Sequence, residues 1–131
     1  MPCEAEELVR KIYPALAAGD AATLQDVLAP DFQAELPDGF PLGIGGHRDG
    51  AEAMIRDTWW AIGRAYSTTI EPGEWIDLGD GRLLVTGHYR GRGRESGRGF
   101  EAVFMHLWAA SDGRVRSLLH CTDTAAWAAA L

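Results

Sequence analysis

The chain has 131 residues, of which 47% are apolar, and its 12 basic against 19 acidic side chains give a formal net charge of −7. That length predicts one domain, residues 1–131, burying roughly two-thirds of its unfolded surface around a single core. The acidic balance opposes nonspecific binding to nucleic acid or an anionic membrane. Cys3 and Cys121 form no Cys-x-x-C, so neither a disulfide framework nor a zinc knuckle is indicated. With no basic segment leading into an apolar run at the N-terminus and no long uncharged apolar stretch, the expectation is a soluble, cytoplasmic protein.

The first helix is signalled by Ala5, Leu8, Val9, Ile12, Tyr13 and Leu16 at helical spacing, with Gly19 as its stop and Pro14 as a bend within it. Asp20 then caps a shorter helix carrying Leu24, Val27 and Leu28, which Pro30 ends. Phe32 to Leu36 reads as a brief strand closed by the turn Pro37-Asp38-Gly39. The glycine-rich stretch from Pro41 to Gly50 reads as a flexible loop beside which a pocket could open. It has no Gly-Lys-Ser/Thr and so is not a phosphate loop. A third helix places Met54, Ile55, Thr58, Trp59 and Ile62 on one face, with Trp60 to the side as a rim or interface residue.

Beyond Tyr66 the texture is that of strands. Asp80-Gly81 and Asp112-Gly113 are two-residue signals for type I′ hairpins. Counting outward from the first pairs Trp75 with Thr86 and Gly73 with His88. Counting from the second pairs Met105 with His120, Phe104 with Cys121 and His106 with Leu119. A two-residue turn near Glu95-Ser96 puts His88 on the face of Val103 and Met105, and a Ser96-Gly97 loop lines up Gly73, His88, Met105 and His120 across four strands. Two histidines flanking one strand would have backbones roughly 10 Å apart, leaving room for a small substrate over Met105.

Helices followed by a curved antiparallel sheet and a short closing helix make an α+β pattern. The segments YPALAAGD, GGHRDGAEAMI and SGRGFEAVFMHLWAASDGRVRSLLHCTDTAAWAAAL resemble SnoaL-like proteins of the nuclear-transport-factor-2-like superfamily. The resemblance implies a cone-shaped sheet packed against about three N-terminal helices, shared with ketosteroid isomerase. It does not imply one reaction, because the superfamily holds cyclases, isomerases, epoxide hydrolases, dehydratases and binding modules. Where ketosteroid isomerase has its phenol this chain has Ile12, with Tyr13 beside it. Its general base falls at Leu36 and its oxyanion acid at Met105, leaving Asp38 as the carboxylate that could replace the base. The resemblance to SnoaL-like polyketide cyclases places a histidine at His106 and substitutes His120 for their aspartate on the last strand.

From the residues themselves, His120 suits proton transfer near neutral pH, since burial against Met105 and Leu118 would keep its imidazole a base. With His88 or Trp75 bonding the developing enolate oxygen, the expected chemistry is proton removal next to a carbonyl, followed by isomerisation or ring closure, with no cofactor. Tyr13, Trp59, Trp75, Met105 and Leu118 are the expected contacts for a hydrophobic, polyketide- or terpenoid-like substrate. Each histidine alone also reads as a hydrogen-bonded packing residue. His47, His88, His106 and His120 have no metal-ligand spacing. An epoxide-opening enzyme would instead need Asp38, Glu35 or Asp77 as its base, and a noncatalytic binding dimer would need no convergent polar groups. Asp123 reads as an N-cap and Glu101 as the cross-strand partner of Arg90 or Arg92. The cluster Arg90, Arg92, Arg94 and Arg98 reads as a solvated strand end or as a positive rim for an anionic substrate. Phe104 and Trp108 alternate onto the face opposite Met105, which the resemblance assigns to dimer packing, so a homodimer is expected.

Overall fold

The computed structural model describes residues 2–131. Helix α1 (Glu4–Ala18) starts where Cys3 Sγ accepts the Glu6 N–H, with Glu4, Glu6 and Glu7 in its first turn complementing the helix dipole. It ends at Gly19, whose φ of 67° is the left-handed conformation that lets Asp20 N–H turn back onto the Ala15 carbonyl. Pro14 stands inside one continuous helix that buries Ala5, Val9, Ile12 and Tyr13. Asp20 caps α2 (Ala21–Val27) by accepting the Thr23 N–H. The helix stops at Val27, and Pro30 lies inside strand β1 (Leu28–Leu36) instead of ending α2. The proline falls where the pairing between β1 and β6 shifts register, a position that can spare its missing N–H.

The glycine-rich stretch is more ordered than expected. A 3-10 turn, Pro41–Gly43, leads into β2 (Gly46–Asp49), an edge strand antiparallel to β1. Next comes the mid-chain helix, residues 51–65, built from α3 (Ala51–Ala53), a π-helical segment (Met54–Trp59) and α4 (Trp60–Ala65). Met54, Ile55 and Thr58 are buried, as their spacing predicts. The wider π turn has a smaller angular step per residue, so consecutive Trp59 and Trp60 both reach the same wall.

Strands β3 (Tyr66–Gly79), β4 (Arg82–Gly93), β5 (Gly99–Ser111) and β6 (Arg114–Thr122) follow as a meander, and α5 (Thr124–Ala129), capped by Asp123, closes the chain. The sheet order is β2-β1-β6-β5-β4-β3, antiparallel except for the parallel β1–β6 pair, so the sheet is mixed. Both two-residue turns have the positive φ angles of type I′: 55° and 77° at Asp80 and Gly81, 54° and 75° at Asp112 and Gly113.

Register departs from the sequence expectation at bulges. Ser111 pairs with Arg114, but Ala110 faces Val115 and Ala109 faces Ser117, leaving Arg116 as an extra residue on β6. Beyond that bulge His106 faces His120 and Met105 faces Cys121, so His120 does not share a face with Met105. A bulge near Leu78 likewise pairs Trp75 with Val85, and a second one leaves His88 opposite Glu71. Between β4 and β5 the expected relation holds: His88 faces Val103 and lies on the face of Met105.

The helices cover the other face, the one carrying Phe104, His106 and Trp108. Trp127 of α5 is 1% exposed and lies against Phe40, Tyr66, Tyr89 and Phe100, with ring centroids 4.6–5.1 Å apart. Phe104 and Trp108 are therefore core residues, not dimer-packing residues. The uncovered face is the one with Val103 (57% exposed), Met105 (51%) and Leu119 (47%). Among the described residues no helix is long and apolar enough to cross a membrane.

Candidate active site

The helices and the inner face of the sheet enclose a cavity of about 460 Å³, a size that suits a small organic ligand. Its walls are largely aromatic and aliphatic: Trp59 and Trp60 from the mid-chain helix, Tyr66 from β3, Trp108 from β5, Leu118 from β6 and Trp127 from α5. Into this lining project four polar rings, Tyr13 from α1, Tyr89 from β4, His106 from β5 and His120 from β6. All four are buried.

The four rings form one hydrogen-bonded chain. Trp108 Nε1–H donates to Tyr13 Oη over 3.2 Å, and Tyr13 Oη lies 2.8 Å from His106 Nδ1. His106 Nε2 lies 2.7 Å from Tyr89 Oη, which also bonds His120 Nε2 at 2.9 Å. Phe104 stacks on the His106 ring at 4.1 Å and holds its plane. Burial pushes the His120 imidazole down to about 4 from its ordinary 6.5, because an apolar surrounding disfavours the cation. Burial also holds His106 well below that value, with the neighbouring His120 adding to the effect. Burial raises the phenols of Tyr13 and Tyr89 well above 10. All four groups are therefore neutral at physiological pH.

Proton counting leaves this chain two arrangements, since a neutral imidazole donates from one nitrogen and accepts at the other. In the first, Tyr13 donates to His106 Nδ1, His106 Nε2–H to Tyr89, and Tyr89 to His120 Nε2; His120 Nδ1 then carries a proton. In the second every bond is reversed. His106 Nδ1–H then donates to Tyr13, and Tyr89 donates to His106 Nε2. His120 Nε2–H donates to Tyr89, leaving His120 Nδ1 a bare base and the Tyr13 hydroxyl proton free for a ligand. Among the described residues His120 Nδ1 has no protein partner and is not sealed from solvent.

Of the residues expected from the sequence, His120, Tyr13, Trp59 and Leu118 line this cavity. Trp75 stands behind it, edge-on to Tyr13 at 5.7 Å and beneath the Arg10 guanidinium at 4.1 Å. Met105 and His88 lie on the outer face of the sheet, where His88 Nε2 is 3.8 Å from Glu101 and cannot meet His120. Asp38, in the turn after β1, is exposed and outside the cavity, and Glu35 and Asp77 are exposed as well. The glycine-rich residues 41–50 contribute nothing to the lining. Tyr89 escaped the sequence reading. The signal for it was parity: two residues beyond the inward Gly87, it shares the face of Ala102 and Phe104. His106 was indicated by resemblance alone. Among the described residues no group of three or more His, Cys, Asp or Glu side chains is arranged to hold a metal ion.

This fold accords with a family match across residues 9–118, to the SnoaL-like domain. The chain belongs to that family. No curated protein sequence matches it. Solved structures do. A nuclear-transport-factor-2-like protein of unknown function from Burkholderia pseudomallei is 27% identical over 98% of each chain, with a TM-score of 0.88. A nuclear-transport-factor-2-like protein from Burkholderia thailandensis is 26% identical over 99% of this chain and 98% of the other, with a TM-score of 0.86. TerC, co-crystallised with polyporic acid, shares the fold at a TM-score of 0.86 and 23% identity over 98% of each chain.

Proposed function

We propose that this SnoaL-like protein is a cofactor-free isomerase or cyclase that moves protons on a hydrophobic carbonyl compound held in the cavity. The observation that carries this reading is the chain Tyr13–His106–Tyr89–His120, whose two ends both line the cavity and whose two proton arrangements interconvert without net charge. In the arrangement with a bare His120 Nδ1, that nitrogen takes the proton from the carbon next to the carbonyl. The His120 Nε2 proton passes to Tyr89, the Tyr89 proton to His106 Nε2, and the His106 Nδ1 proton to Tyr13. Tyr13 releases its own proton to the enolate oxygen. One proton enters and one leaves, so no buried ion need persist. The resulting enol can return its proton elsewhere, giving isomerisation, or attack a second carbonyl in the same molecule, closing a ring.

The convergent polar groups support catalysis over a binding-only role. An epoxide-opening mechanism has less support, since Asp38, Glu35 and Asp77 all lie outside the cavity. The direct test is hydrogen–deuterium exchange next to the carbonyl of β-tetralone, followed by nuclear magnetic resonance. Wild type should accelerate it, and His120→Ala and Tyr89→Phe should each remove about a hundredfold or more of the acceleration. Undiminished exchange in both variants refutes the reading.

The uncovered outer face supports a homodimer as part of the same proposal. Val103, Met105 and Leu119 form an exposed apolar surface on the two central strands, and a second copy would cover it. Met105→Glu should then yield a monomer in sedimentation velocity; a wild-type monomer would rule the dimer out.

A further inference from the structure

We propose that the ligand is a planar aromatic acid whose carboxylate is held at the cavity mouth by Arg94 and whose ring system carries a polar group bonded to Thr68. This rests on the cavity being the substrate site proposed above, and it names the chemical class.

Among the described residues Arg94 is the only charged side chain in the cavity lining. Its backbone N–H donates to the Ala65 carbonyl and its Nε–H to the Gly63 carbonyl, each over 2.9 Å, which anchors the residue to the end of α4. The outer guanidinium nitrogens donate to no described protein group, and no described carboxylate pairs with them. Other arginines are used differently. Arg90 bridges Glu71 and Glu101, and Arg98 bonds the carbonyls of Ala129 and Leu131. A fixed, unpaired guanidinium beside an otherwise uncharged cavity, in a chain of net charge −7, presents a fork suited to a planar anion.

Thr68 supplies the second observation. Its Oγ1 is the one buried side-chain polar atom without a partner among the described residues, and Thr68 lines the same cavity. Leaving such a hydroxyl unsatisfied is costly, so a ligand oxygen or nitrogen that bonds it gains affinity. The Trp59, Trp60 and Tyr66 rings favour a flat occupant, with its charged end left at the open mouth.

The test is titration calorimetry with 6-hydroxy-2-naphthoate, whose ring hydroxyl can bond Thr68, and its neutral counterpart 6-hydroxy-2-naphthamide. Wild type should bind the carboxylate about tenfold more tightly at low salt, with the margin narrowing as salt is raised. Arg94→Gln keeps a donor for the Gly63 carbonyl but removes the charge, and should bring the ratio to about one. Arg94→Lys should keep the preference, and Thr68→Val should weaken both ligands alike. Equal affinities in wild type, or an unchanged ratio in Arg94→Gln, would overturn the assignment. His120→Asn should abolish the proton exchange described above while leaving this ratio intact, so the two proposals can fail separately.

Discussion

The two faces of one sheet treat the same side chain in opposite ways. On the inner face His106 and His120 are buried among aromatic rings, bonded only to phenols, and held neutral. At the sheet edge His47 is exposed between Glu35 at 2.5 Å and Asp49 at 3.1 Å, and these carboxylates raise its basicity. On the outer face His88 stands beside Glu101 in solvent. Burial without a counterion keeps the inner imidazoles neutral, the state that the function proposed above requires, whereas exposure beside carboxylates favours the cation at His47.

The largest break in this contrast should come from the core that holds the inner face in place. Trp127→Ala removes the ring packed on Phe40, Tyr66, Tyr89 and Phe100 and should cost about 3–5 kcal/mol in denaturant unfolding. Met105→Ala on the outer face should stay within about 1 kcal/mol at concentrations where the protein is monomeric. Comparable losses would mean that the outer face is packed in solution.

Acid sharpens the comparison next. The folded value for His120, about 4, lies below its ordinary 6.5, so the unfolded chain binds the proton first as pH falls. The stability involved is complete above about pH 6.5 and is lost progressively towards pH 4, amounting to about 3 kcal/mol for His120. His106 adds in the same direction. Unfolding measured against pH should be steep in that window for wild type and shallower for His120→Gln; identical slopes would contradict burial of the imidazole.

His47 has the opposite sign. Because its partners raise its value, its contribution is present below the ordinary 6.5 and fades as pH rises through the raised one. Exposure makes the effect small and salt-sensitive, so it should vanish in concentrated salt. A salt-insensitive contribution would argue for a covered pair. Least of all should follow from His88→Ala, within about 0.5 kcal/mol and with no change in the titration of His106 or His120 by nuclear magnetic resonance. Movement of either signal would reveal a link through the sheet that the opposite faces do not provide.

Helix α1, both type I′ turns and the order of long strands were legible because each depends on neighbours within a few residues: the 3.6 period, the Asp-Gly pairs, the Gly19 stop. His120 was legible as a candidate for the same reason, as a polar residue on an apolar strand. Its partners were not. The expected pairing of His120 with Met105 followed from uninterrupted counting out of Asp112-Gly113, and one extra residue, Arg116, reversed it. A bulge has no dependable local signature, and each one exchanges the faces of everything beyond it.

The sequence by itself determined the α+β class, the hairpin positions and the standing of His120 as a candidate, because these rest on local propensity and period. Only the tertiary structure decided that His106, not His88, meets His120, that Tyr89 joins them, and that Arg94 stands at the mouth. Those relations depend on register across strands and on which face the helices cover. Both are settled by packing between segments distant in the chain, where a single bulge outweighs any local preference.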